Sequence, residues 1–194
     1  MRRAHPIEQE SYRILRELVD LSELEPLSRA VTERVIHASA DLEYANSLVL
    51  NEAALRGGLE ALRRGAPVVA DVGMVAAGIT AREALCFVSD PRARDLSETL
   101  GITRSAAGVR VAAEKVGARA VWVVGNAPTA LFELLELEVE PALVVGLPVG
   151  FVGAAEAKEG LIGSGLPAVA NRGSKGGSAV AAAALNALLY FEEG

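Results

Sequence analysis

Apolar and polar positions change their rhythm partway along the chain. Over the first 45 residues the pattern is helical and heavily charged. SYRILRELVDL places Ile14, Leu15, Leu18, Val19 and Leu21 on one broad helical face, and LSRAVTERVIHASAD gives a second helix with Leu27, Val31, Val35 and Ile36 as its core side. Short apolar runs then take over: SLVLN (47–51), PVVAD (67–71), ALCFVSD (84–90), AVWVVGN (120–126), ALVVGLP (142–148) and PAVAN (167–171). Between most of them lie helical stretches, NEAALRGGLEALRRG, TRSAAGVRVAAEKVG, TALFELLELEVE and GAAEAKEGL, and SAVAAAALNALLYFEE closes the chain. Strands alternating with helices predict βαβ crossovers, a parallel sheet and helices on both faces. SLVLN is the weakest of the six strand candidates. No repeat or linker divides the 194 residues, so residues 1–194 are expected to form one domain.

Composition supports this layered α/β reading. Hydrophobic residues make up 51% and aromatics only 4%, so the core is built from Ala, Val, Leu and Ile. A net charge of -6 without a dense Lys/Arg run argues against a nucleic-acid partner. No apolar run is long enough for a membrane span, and MRRAHPIEQESY has no signal-peptide pattern; a cytoplasmic protein is expected. The single cysteine, Cys86, lies in an apolar run and reads as a buried, inert thiol.

The apolar runs end in VVADVG, FVSDP, VVGNAP, VVGLPVG and VANRGSKGGS. Small and polar residues thus gather at the carboxyl ends of the strands, the edge that carries the ligand crevice in open α/β sheets. GSKGGS (173–178) can cradle an anion before the last helix, with Lys175, Gly176, Gly177 and Ser178 as contacts; equally, it can be a flexible turn with Ser178 near the N-cap. GNAP, with Asn126, offers free amides before a helix beginning near Pro128. In TRSAA, Thr103 caps a helix while Arg104 and Ser105 offer donors to a carboxylate. Met74 and Val75, just past a strand end, can cover a ligand or pack into the core. The spacing supports neither a P-loop nor a dinucleotide fingerprint, and no metal-ligand cluster is visible.

Of the two histidines, His5 sits beside Pro6 near the terminus and is expected in solvent. His37 lies on the second helix, with Arg34 three residues before it and Asp41 four after. The spacing predicts that all three share a face, offering a cation and a group that trades protons near neutral pH. Asp41 can instead end the helix and start the turn.

Seven segments in this order resemble the precorrin-8X methylmutase family: HPIEQESYRIL (5–15), ERVIHASAD (33–41), PVVADVGMVAAGI (67–79), TRSAAGVR (103–110), GNAPTAL (125–131), GLPVGFVGAAEAKEGL (146–161) and NRGSKGGSAVAAAALNALL (171–189). The resemblance implies an isomerase of cobalamin biosynthesis that moves a methyl group from C11 to C12 of a tetrapyrrole. Precorrin-8X would yield hydrogenobyrinic acid, and cobalt-precorrin-8 would yield cobyrinic acid. It also implies a flavodoxin-like three-layer α/β/α fold, no dissociable cofactor, and a homodimer with active sites at its interface. The catalytic histidine of the R-V-I-H motif falls on His37, and substrate contacts fall on Ser11 and Arg34. Ala38, Ala40 and Ala157 depart from the pattern, which puts hydroxyl contacts in doubt. A polyanionic substrate on a chain of this charge calls for converging cations; Arg34, Arg104 and Lys175 are the favoured set among Arg13, Arg16, Arg82, Arg110 and Arg172. Two other functions fit parts of the pattern: a non-catalytic corrinoid carrier, which has no need of His37, and a phosphate-ligand enzyme built on GSKGGS.

Overall fold

The computed structural model describes residues 5–137 and 139–192. Residues 1–4, 138, 193 and 194 lie outside it. With them go the start of the N-terminal segment, one position of the predicted TALFELLELEVE helix and the last glutamate of the predicted C-terminal helix. Helices α1 (Pro6–Leu18) and α2 (Pro26–Ser39) come first, and a single turn, α3 (Tyr44–Ser47), runs into β1 (Leu48–Val49). The alternation follows as α4 (Glu52–Arg63), β2 (Val68–Ala70), α5 (Gly73–Gly78), β3 (Leu85–Cys86), α6 (Pro91–Leu100), α7 (Arg104–Val116), β4 (Val121–Val124), α8 (Pro128–Glu136), β5 (Leu143–Gly146), α9 (Ala154–Gly163), β6 (Ala168–Asn171) and α10 (Ser178–Leu189).

All six apolar runs supply strands, each shorter than its run. The sheet order is β1-β6-β5-β4-β2-β3. Strands β2 to β6 pair in parallel. Counted among themselves they follow the flavodoxin-like order 2-1-3-4-5. The expectation of a wholly parallel sheet is corrected at one edge, where β1 runs antiparallel to β6 with Leu48 opposite Asn171 and Val49 opposite Ala170. The reason lies in where the chain arrives. The segment after α2 reaches the carboxyl rim, where Asp41 meets Lys175, so β1 starts at the rim and runs away from it.

Period-two alternation divides the sheet between two cores. Val68, Ala70, Val121, Val123, Leu143 and Val145 face α2, α4 and α10. Val69, Trp122, Val124 and Val144 face α7, α8 and α9. Every residue of α10 from Val180 to Leu188 is buried, as befits a helix that is apolar all round. It lies between the sheet and α2, and its alanines keep it thin.

Sequence periodicity missed α6, although its punctuation was readable. Asp90 caps it through Arg92 N–H, Pro91 opens it and Gly101 closes it. Only Ala93 in it is buried, so no apolar stripe announced it. The predicted face of α1 is also corrected. Leu15 is buried and Leu21 is buried beyond the helix end, but Ile14 and Leu18 are exposed along with Ile7. The side of α1 turned toward α2 is mostly polar instead: Glu8, Ser11, Tyr12 and Arg16. Among the described residues no helix is long and apolar enough to cross a membrane. Cys86 is partly rather than fully buried, and burial pushes its thiol pKa up.

Gly125 ends β4 where α5 and α10 close in. A Cβ there would lie 2.7 Å from Ala181 Cβ, 2.9 Å from Val75 Cγ2 and 3.1 Å from Ser178 Cα, none of which can swing aside. Gly125→Ala is therefore expected to destabilise the fold by about 1–3 kcal/mol, read as a lower midpoint in urea unfolding at unchanged slope.

Candidate active site

Helix α2 stops at Ala40, which adopts the left-handed conformation and donates its N–H to Ile36 O. His37 thus occupies the last helical turn. Helix α1 holds the ring from two sides. Ser11 Oγ lies 2.8 Å from His37 Nδ1. The Tyr12 ring stacks on the imidazole with centroids 4.9 Å apart and planes inclined by 20°. Together they fix the ring's tilt and engage Nδ1; no hydrogen bond to Nε2 is made among the described residues.

One turn earlier, Arg34 donates to Glu8 Oε1 at 3.2 Å, and its guanidinium lies 5.3 Å from the centre of the Tyr190 ring. Arg16 binds both oxygens of Glu33 at 2.8 Å, tying α1 to α2. Burial pushes the Tyr12 phenol pKa up, with Arg34 acting in the opposite sense. A cavity of about 210 Å³ opens here, lined by Tyr12, Arg16, Glu33, Arg34, Tyr190 and Phe191. A larger cavity of about 450 Å³ lies beside β1 and β6, but its wall of Leu50, Ile162, Leu166 and similar side chains holds no cation for a carboxylate.

Asp41 does not share the His37 face, because the helix ends before it. Its carboxylate accepts from Glu43 N–H at 3.0 Å, starting the turn, and from Lys175 Nζ at 2.7 Å. Lys175 also reaches Glu43 at 2.7 Å. The ammonium holds the Asp41 carboxyl below the usual range, and the two carboxylates raise the Lys175 pKa. In the free protein Lys175 is therefore already paired, and a ligand carboxylate has to compete for it.

The GSKGGS segment is a built turn rather than a flexible one. Gly177 donates to Leu147 O at 2.9 Å, and Gly150 donates to Ser174 O at 3.2 Å. At Gly176 (φ +158°) a Cβ would fall 2.3 Å from Leu147 O, so only glycine fits. Gly177 is the N-cap of α10 and Ser178 its first residue, with no side-chain cap.

Across the rim, Thr103 caps α7 by accepting from Ala106 N–H at 3.2 Å, and its hydroxyl meets Thr129 of α8 at 2.7 Å. Arg104 is exposed and Ser105 half-buried. Met74 is 68% exposed, whereas Val75 is fully buried among core side chains; apolar cover for a ligand falls to Met74, and Val75 is a packing residue. The GNAP amides are not free. Gly125, Asn126 and Ala127 donate to the Asp71 carboxylate at 3.1, 2.9 and 2.8 Å, so the protein's own anion fills the switch point between β2 and β4. Only the exposed side chain of Asn126 remains for a ligand.

Ser11, Arg34 and His37 thus come together, and the GSKGGS turn is tied to the end of their helix only through Lys175 and Asp41. Thr103, Arg104 and Ser105 start a helix on the opposite face of the sheet. The precorrin-8X methylmutase family model matches residues 6–191. The chain belongs to that family. It is 44% identical to the cobalt-precorrin-8 methylmutase of Salmonella typhimurium, over 95% of this chain and 93% of that one. It is 42% identical to the cobalt-precorrin-8 methylmutase of Methanothermobacter thermautotrophicus, over 97% and 94%. A solved precorrin-8X methylmutase from Thermus thermophilus superposes with a TM-score of 0.86 at 36% identity, over 95% of this chain and 96% of the other. Members of this methylmutase family are isomerases of cobalamin biosynthesis, and so is this chain.

Reading the sequence of this precorrin-8X methylmutase family member left four site residues without a role. Tyr12 and Tyr190 were missed because stacking between separate helices leaves no trace in spacing. Asp71 looked like another polar strand end, and only the strand order brings it to the GNAP turn. Lys158 lies in the predicted GAAEAKEGL helix, where nothing in the spacing marks it as inward-facing, and it is fully buried. His5, expected in solvent, is exposed and also caps α1 by accepting from Ile7 N–H.

Burial raises the Asp71 pKa, against the opposing pull of the amides that donate to it. Between its ordinary value and this raised one, the folded protein retains a proton that the unfolded chain has released. Stability therefore falls as pH rises through that window. Asp71→Asn should flatten this part of the curve while costing about 1–3 kcal/mol at neutral pH, because an amide cannot accept all three N–H groups equally well. Urea midpoints between pH 4 and 8 check both.

Proposed function

We propose that His37 is the general acid and base of an intramolecular methyl transfer, C11 to C12, on precorrin-8X or cobalt-precorrin-8. The observation that carries this reading is the Ser11–His37–Tyr12 arrangement: an imidazole held by a hydroxyl at Nδ1 and by a stacked ring, one turn from the Arg34 cation. The shift is formally a [1,5]-sigmatropic rearrangement. His37 would place a proton on the macrocycle beside the migrating centre, which biases the electron distribution toward product, and recover it afterwards. One acid/base group is then enough, and such help is typically worth roughly 10² to 10⁴ in rate. Holding the ring in one pose would supply more.

Arg34 and the turn from Lys175 to Ser178 would receive ring carboxylates, Met74 would cover part of a ring face, and Thr103, Arg104, Ser105 and Asn126 would reach the far side. The cavity beside Arg34 is small for a tetrapyrrole, and residues of the proposed site start from opposite faces of the sheet. Phe151 and Val152 stand exposed on a rim loop, Met74 on the first turn of α5, and Ile7, Ile14 and Leu18 on α1. These features support a homodimer in which a second copy completes the enclosure. The protein is assigned to the cytoplasm.

Incubating purified protein with precorrin-8X should convert its visible spectrum to that of the corrin product. An unchanged spectrum from folded protein would defeat the assignment, and tight product binding without turnover would point to a carrier. His37→Ala should lower kcat by about 10²- to 10⁴-fold while product affinity stays within a few-fold. Ser11→Ala should slow turnover by roughly tenfold through loss of ring orientation.

A further inference from the structure

Lys158 is a charged side chain that α9 turns inward. It is fully buried, yet among the described residues no carboxylate meets its ammonium. Nζ donates instead to Asn171 Oδ1 at 3.1 Å and to the Lys175 carbonyl at 2.5 Å. Asn171 is fully buried as well, and its amide donates to the carbonyls of Arg172 at 3.1 Å and Lys175 at 3.0 Å. On the outer side Glu159, the next residue of α9, holds the Arg172 guanidinium at 2.8 and 2.9 Å. Ser174 O is taken by Gly150 N–H. The carbonyls of Arg172, Ser174 and Lys175 are thus drawn to protein donors, and the amides of Arg172 and Gly177 go to Ser47 O and Leu147 O, which leaves the amides of residues 173–176 for an anion.

An ammonium without a countercharge is costly to bury, and the fully buried Ala157 and Leu161 on the same helix show that apolar residues suit this layer. The purpose of the charge is therefore to be sought in the turn it holds. We propose that Lys158 is a positioning residue of the reaction: with Asn171 it holds residues 172–177 in the shape that receives a substrate carboxylate. The proposal rests on the reading of that turn as a substrate contact. A buried positive charge beneath the turn also favours an anion above it.

The charged groups on the surrounding elements are engaged elsewhere or exposed. Glu159 pairs with Arg172, Lys175 with Asp41 and Glu43, and Glu133 of α8 with Arg110, while Glu136 and Glu156 are exposed. Burial alone pushes the Lys158 pKa down to about 8. The ammonium is charged at neutral pH, and its hold on the turn weakens as pH rises past that value.

Hydrogen–deuterium exchange with mass spectrometry, on wild-type protein and Lys158→Met without ligand, reads the turn directly. The hydrogen-bonded amides of Arg172 and Gly177 should exchange roughly tenfold faster or more in the variant while the α2 and α10 peptides stay unchanged. Hydrogenobyrinic acid, titrated by absorbance, should bind the variant about 10- to 100-fold more weakly, with KM raised and kcat within about twofold. Unchanged exchange overturns the proposal. A loosened turn with unchanged product affinity also overturns the positioning role, without touching His37. If wild-type protein binds no product, the substrate reading fails, and the exchange comparison still decides whether Lys158 holds the turn. Should the variant not fold, Asn171→Ala takes its place. Exchange at the Arg172 and Gly177 amides should rise likewise, and its persistence at the wild-type rate overturns the proposal.

Discussion

One helix with no solvent face sets the positions of the others. Nine consecutive residues of α10 are buried because the sheet closes one side and α2 the other. Six of those nine are small or slim (Val180, Ala181, Ala182, Ala183, Ala184 and Ala187), which lets both neighbours approach closely. The constraint propagates in two directions. At its start α10 fixes the glycine turn against Leu147 and Pro148; along its side it fixes α2, and so the height of His37 above the sheet. Substitutions that widen α10 would reach the site through geometry rather than through any contact with a ligand.

The second organising feature is the polarity of the α1–α2 seam. A surface helix ordinarily turns its apolar stripe inward. Here α1 turns Glu8, Ser11, Tyr12 and Arg16 toward α2 and leaves Ile7, Ile14 and Leu18 in solvent. That inversion costs burial of apolar surface and yields an imidazole held by a hydroxyl and a stacked phenol ring. It also leaves an apolar strip on the outside of the molecule. The rim shows the same economy of charge. Asp71 saturates the amides at the switch point where flavodoxin-like sheets commonly bind ligands, and Asp41 with Glu43 occupies Lys175.

Much of the fold was legible because it follows from period. Every apolar run became a strand, and each helical stretch between runs became a helix, since buried parallel strands and core-facing helices both write their burial into the sequence. What stayed hidden depends on partners distant in the chain. The antiparallel β1 could not be foreseen, because its direction is set by where α2 ends. Helix α6 carries one buried residue and hence no stripe, and the inverted face of α1 contradicts its own periodicity. In the site, spacing put Arg34 and His37 on one helical face, the resemblance added Ser11, and the three do come together. Asp41 left the shared face because the helix ends at Ser39, two residues before it, and Val75 proved to be core. Tyr12, Asp71 and Lys158 act across 25, 54 and 13 residues of chain or more, which spacing arguments do not reach.

The acid/base role of His37 is tested most directly by a crystal structure of the wild-type protein with hydrogenobyrinic acid bound. His37 Nε2 should lie about 2.6–3.2 Å from a macrocycle atom beside C11 or C12, or reach it through one water, with Ser11 still on Nδ1. A ring bound with both imidazole nitrogens out of reach, no bridging water, and another acid at the migrating centre would contradict it.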